Sequence, residues 1–197
     1  MDWLLSVRIL VPAVLLGAAL GRMVSKRPYY LQRLFPSFWL PLAKKTRKWR
    51  ILELIIFSAA FTAALLFLTD QVIFYLSEKQ IPTIEPEEYP LTPEKIPYPL
   101  LFLMVNLFGF LEEWLFRGIL LEEFSLALRS RVGGLISSSL LFGLFHLSNP
   151  GTYPALALPL ILAGVVLGIA YLFRGFSCSV LTHCLYNSIL VLVVRFS

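Results

Sequence analysis

Six runs of apolar residues, separated by short polar interruptions, organise the chain. They cover about Trp3–Met23, Ile51–Leu76, Pro99–Leu121, Gly133–His146, Tyr153–Phe173 and Cys178–Val194. A helix needs roughly 20 apolar residues to cross a hydrocarbon core about 30 Å thick, and most of these runs meet that length. The pattern predicts an all-α polytopic membrane helix bundle of about six transmembrane helices with short loops. Gly133-Gly134 opens the fourth run and Asn149-Pro150-Gly151 closes it. Gly164 and Gly168 give the fifth run a small-residue face suited to close helix packing. Arg8 interrupts the first run and no small-residue cleavage site follows it cleanly, so a retained span is expected there rather than a signal peptide.

The connections orient the spans. Arg22, Lys26, Arg27, Arg33, Lys44, Lys45, Arg47, Lys48 and Arg50 crowd one loop without any acidic residue, which places loop 22–50 in the cytoplasm. Within it, Tyr29–Leu42 carries Phe35, Phe38 and Trp39 among prolines. This reads either as a short segment lying in the membrane interface or as an irregular basic loop. The connection Ser77–Tyr98 reverses the charge balance and holds five prolines, so it is expected to be extended and to lie outside. Glu53 and Asp70, toward the ends of the second span, read as solvated.

Composition agrees. The chain has 197 residues, of which 58% are apolar and 15% charged, against roughly half and a quarter in soluble domains. Mean hydropathy is +0.78. One membrane domain over 1–197 is expected, with N-terminal spans over 1–98 and the candidate chemistry over 99–195. The net charge of +5 does not indicate nucleic acid, because the basic residues cluster beside spans. Cys178 and Cys184 share one apolar run at a spacing that fits neither a metal-binding pair nor a disulfide framework, so they read as small core residues.

Charge inside the spans changes the picture. Glu112, Glu113 and Arg117 sit in the third run, and the chain's only two histidines, His146 and His183, lie in two others. Ionisable groups at a span's centre cost on the order of 2.5–3.5 kcal/mol each on insertion scales, so their joint presence points to use. Residues four apart share a helix face, which pairs Glu113 with Arg117, Phe142 with His146 and His183 with Asn187. Glu113 is therefore expected to be occupied by Arg117, leaving Glu112 as the better general base. A carboxylate beside a histidine can activate water, and a histidine with an amide can hold an oxyanion. The same groups could instead bind zinc with water in the open position. Cys184 projects about 100° around the helix from His183, and Ser137, Ser138 and Ser139 read as a packing patch, so neither supplies a nucleophile.

Glu112-Glu113-Trp-Leu-Phe-Arg117, Phe142-x-x-x-His146 and His183-x-x-x-Asn187 together resemble the three-motif signature of the CAAX-protease and bacteriocin-processing (CPBP, or ABI) family of intramembrane endopeptidases. The family includes enzymes that remove the last three residues of prenylated CAAX proteins. The resemblance covers Glu112–Asn187 and leaves the first hundred residues without a family-specific feature. It implies Glu112 as general base with His146 positioning the water, and His183 with Asn187 stabilising the oxyanion. Glu113, Arg117 and Phe142 then support the site. The family has been described both as metalloproteases and as metal-free, so the cofactor stays open between no metal and a zinc held by Glu112, His146 and His183. The implied partners are a membrane-tethered polypeptide substrate and the lipid bilayer. Two rival readings are a catalytically silent scaffold or immunity protein on the same fold, and a small proton-coupled transporter. The absence of an inverted repeat weighs against the transporter.

Straight spans leave one tension. They set Glu112 and His146 at depths differing by about 10 Å. Tilt, or a fourth helix that starts before the glycine pair, would close the gap.

Overall fold

The computed structural model describes residues 3–35, 37–38, 48–84, 96–149 and 151–196. Among these the chain is all helix, with no strand beyond an isolated bridge between Ile84 and Thr152. In order come α1 (Trp3–Lys26), the single turn α2 (Tyr29–Gln32), α3 (Lys48–Glu78) and α4 (Tyr98–Leu115). A π-helical turn (Phe116–Leu121) carries α4 without a break into α5 (Glu122–Ala127). Then follow α6 (Arg131–Phe145), α7 (Ala157–Arg174) and α8 (Phe176–Phe196).

Among the described residues, four helices are long and apolar enough to cross a membrane: Lys48–Glu78, Tyr98–Ala127, Pro154–Arg174 and Phe176–Val193. The expected fourth span is different. Ser130 caps α6 by accepting the Gly133 amide at 3.0 Å, and the helix gives way at His146 to a 3-10 turn. Its 15 residues reach only about 22 Å, short of a full crossing. The helix also starts two residues before the glycine pair. The proposed interfacial segment is helical at Tyr29–Gln32, while 39–47 and the acidic stretch 85–95 lie outside the described residues.

Helix α7 is the hub, packing on α3, α6 and α8, while α4 pairs with α8. The core where they meet holds Leu65, Phe116, Leu120, Phe142, Val166 and Leu167. Outward, α3 presents Leu52, Ile55, Ile56, Phe67 and Phe74, all exposed, a face that suits lipid rather than water. Polar side chains join the helices where water is absent. Thr62 donates to the Thr182 carbonyl at 3.2 Å, and Ser58 to the Cys178 carbonyl at 3.4 Å. The basic loop docks against the α4–α5 helix: Trp114 donates to the Tyr30 carbonyl (2.8 Å) and Tyr30 to Glu123 (2.7 Å). Burial first, then hydrogen bonds with Tyr29 and Glu123, pushes the Tyr30 phenol well above its ordinary pKa, so it stays a donor.

Small residues set the spacing. A Cβ on Gly134 would meet the Leu121 carbonyl at 2.7 Å, and one on Gly164 would meet Ser139 Cα at 2.9 Å. The face expected from Gly164 and Gly168 thus packs on α6. Gly175, at φ 82°, turns α7 directly into α8. In thermal unfolding in detergent, Gly134→Ala is expected to lose about 1–3 kcal/mol through overpacking. Gly17→Ala, where nothing lies within 4 Å, is expected to lose none.

Candidate active site

Glu112 and Glu113 end α4 at the point where the backbone widens into the π-helical turn, all six residues of which are buried. Widening releases carbonyls from regular helix bonds, and in hydrocarbon each needs a protein donor. Ser138 donates to the Phe116 carbonyl (2.6 Å) and Arg33 to the Gly118 carbonyl (2.9 Å). The serine patch on α6 therefore serves packing and this turn. Adjacent on α4, the two glutamates project about 100° apart, one into the protein and one into a cavity.

Glu113 is fully buried. Its Oε1 accepts Arg117 Nη1 at 2.7 Å and His183 Nδ1 at 2.8 Å, and its Oε2 accepts the Ser179 hydroxyl. Arg117 also donates to the Gly164 carbonyl (3.0 Å) and lies over the Phe142 ring at 4.5 Å. Glu112 has a quarter of its side chain exposed and lines a cavity of about 230 Å³. His146, His183, Asn187, Phe142 and Tyr186 share that wall. Glu112 Oε2 stands 3.8 Å from His146 Nε2 and 3.7 Å from His183 Nε2. The depth gap of straight spans is closed, with His146 carried on the turn that follows the short α6.

Hydrogen bonding dictates which ring nitrogens face the cavity. His146 Nδ1 lies 2.8 Å from the Phe142 carbonyl, which can only accept, so Nδ1 carries the hydrogen. His183 Nδ1 likewise donates to Glu113, a carboxylate already receiving Arg117 and Ser179. In their neutral forms both histidines therefore point an Nε2 lone pair toward the Glu112 carboxylate. Three acceptors converge, and what sits among them must supply hydrogens or positive charge. Asn187 Nδ2 donates to the Val105 carbonyl at 2.9 Å, leaving its second amide hydrogen for another acceptor.

All four residues singled out from the motifs, Glu112, His146, His183 and Asn187, line one cavity, with Phe142 beside them. Glu113 and Arg117 lie behind it. Arg117 contacts Glu113 as the i,i+4 spacing predicts. Two contributors were missed. Ser179 precedes His183 by four residues, as His183 precedes Asn187, so one face of α8 carries all three. Gly109 clears the approach of α8, because a Cβ there would stand 2.9 Å from Asn187 Nδ2. The periodicity of α8 would have found Ser179; nothing local distinguishes Gly109. Cys178 is buried and Cys184 half-buried outside the cavity lining, while Glu53 pairs with Arg174 at an exposed position.

The donor types of Glu112, His146 and His183 match zinc, and the Nδ1 bonds to Glu113 and Phe142 resemble the outer support metal-binding histidines receive. The Nε2 separations of 3.7 and 3.8 Å from Glu112 Oε2 are a few tenths of an ångström wider than the roughly 3.4 Å between ligands of a tetrahedral zinc. Among the described residues no group of three His, Cys, Asp or Glu side chains is arranged to hold an ion.

Comparison with known proteins adds an independent finding. Residues 94–189 match the family described as "Rce1-like: Type II CAAX prenyl endopeptidase Rce1-like". Neither the curated proteins nor the solved structures yield a match to the chain. The matched stretch includes every residue of the cavity motif, and with the four apolar helices among the described residues it supports an integral membrane protein similar to CAAX-type proteases. Over residues 94–189, the half of the chain that holds the cavity motif, the sequence is similar to the Rce1-like family of type II CAAX prenyl endopeptidases.

Proposed function

We propose that the protein is an intramembrane endopeptidase that hydrolyses a peptide bond of a membrane-tethered polypeptide, with prenylated CAAX-type C-termini as the first substrate class to test. The observation that carries this reading is the convergence of Glu112 Oε2 with the Nε2 atoms of His146 and His183 in one cavity. A water there can donate one hydrogen to Glu112 and one to His146, leaving an oxygen lone pair aimed into the cavity. As the oxygen attacks the carbonyl carbon, Glu112 takes the proton, and it then returns that proton to the departing amine. Negative charge gathers on the carbonyl oxygen, where the remaining hydrogen of Asn187 can meet it. His183 joins that role only when its Nε2 carries a second proton, since Nδ1–H is committed to Glu113. Leu65, Leu160 and Leu190 make part of the same lining apolar. Loop 22–50 is assigned to the cytoplasmic side by its basic residues.

The test is cleavage of a farnesylated CAAX peptide beside a panel of membrane-tethered peptides by the detergent-purified protein. Glu112→Gln and His146→Ala are each expected to lower kcat by about 10²–10⁴-fold. Asn187→Ala is expected to lower it by about 10²–10³-fold with little change in KM. Wild-type cleavage by both the Glu112 and His146 variants overturns the assignment. On the metal-free reading a chelator is expected to leave the rate unchanged, and zinc-dependent recovery after chelation would contradict that reading. Arg117→Met strands Glu113, so denaturant unfolding in detergent is expected to show a loss of about 3–5 kcal/mol.

A further inference from the structure

We propose that the protein carries a second site, a phosphate-binding pocket for the headgroup of an anionic phospholipid, where α7 turns into α8. A cavity of about 440 Å³ opens there, lined among others by Arg33, Arg131, Arg174, Glu122, Tyr171 and Phe176. Among the described residues its charged lining is three arginines against one glutamate, drawn from four separate parts of the fold. None of these residues lines the cavity at Glu112. Ser177 and His183 are six residues apart on α8, about 9 Å, and the buried Glu113–Ser179 contact lies between them.

The arrangement suits a phosphate oxyanion. Glu122 accepts the Tyr171 hydroxyl and forms only a long 4.0 Å ion pair with Arg131, whose side chain is 66% exposed. The Arg174 guanidinium carbon lies over the Phe57 ring, 4.1 Å from its centroid, and one terminal nitrogen reaches Glu53 at 3.4 Å. A guanidinium held over a ring in this way loses freedom, and its planar fork of donors is the geometry that matches phosphate. Arg33 is anchored by the Gly118 carbonyl and lies over Phe176 at 5.6 Å. The starts of α6 and α8 border the same cavity, and each adds the partial positive charge of a helix N-terminus.

Position selects the source of the phosphate. Arg174 ends one candidate span and Phe176 begins the next, so the pocket lies where apolar thickness gives way to headgroups. A phosphodiester carried on a lipid is held at that depth at high local concentration, whereas free phosphate has to be drawn from bulk solution.

The experiment measures thermal unfolding of the full-length protein in a neutral detergent with added phosphatidylglycerol, phosphatidylcholine or inorganic phosphate. Phosphatidylglycerol is expected to raise the Tm in a saturable way, with no comparable rise from the other two. Arg131→Gln, at an exposed position, and the double variant with Arg174→Gln are expected to weaken the phosphatidylglycerol midpoint, the double variant by about tenfold or more. Arg129→Gln, outside the lining, is expected to leave it unchanged. Three results overturn the proposal. One is a double variant within twofold of wild type. Another is an equal loss in Arg129→Gln, which marks general surface charge. The last is an inorganic phosphate effect equal to that of the lipid, which marks a free-anion site. If phosphatidylglycerol has no effect while the arginine variants raise KM for a carboxylate-ended peptide but not for its amide, the anion held there belongs to the polypeptide and the lipid assignment fails.

Discussion

Inside hydrocarbon a carboxylate has no water to turn to, and Glu113 meets that constraint by collecting every donor within reach. Arg117 comes from the π-helical turn just after it, and His183 and Ser179 come from α8. Arg117 extends the cluster to α7 through the Gly164 carbonyl. One anion thus clamps three helices. Removing any single donor would strand charge or an unpaired polar group in a dry interior, which is far costlier than never having buried it. The orientation of His183, and so the direction of its Nε2, follows from that clamp.

The widened turn beside the glutamates belongs to the same design. Side-chain donors from Ser138 and Arg33 satisfy carbonyls of that turn, and glycines at 109, 134 and 164 let backbones approach closely enough for the bonds to form. Polar groups and small residues work together here. Without the glycines the donors would stand too far off, and without the donors the close backbones would expose unsatisfied carbonyls.

Much of this was readable along the chain. Apolar run length marked the long helices, because spanning a bilayer imposes a length that little else requires. The i,i+4 pairing of Glu113 with Arg117 was readable too, since both sit on one helix and their spacing alone places them on one face. The rest was not. The fourth apolar run reads as a span, yet a Ser130 cap and a turn at His146 make it a 15-residue helix. Straight-helix counting separated Glu112 from His146 in depth, whereas the short, shifted α6 sets them 3.8 Å apart.

The sequence by itself determined the helical membrane architecture, the residues costly enough in lipid to need a purpose, and the family those residues resemble. Those properties are local, written in hydropathy and in spacing along single helices. Only the tertiary structure decided that Glu113 rather than Glu112 holds His183 Nδ1, that both histidines direct Nε2 toward Glu112, and that three arginines meet around a separate pocket. Each of those outcomes depends on contacts between helices far apart in the chain. Helix offset and rotation set such contacts, and packing of the whole bundle fixes both.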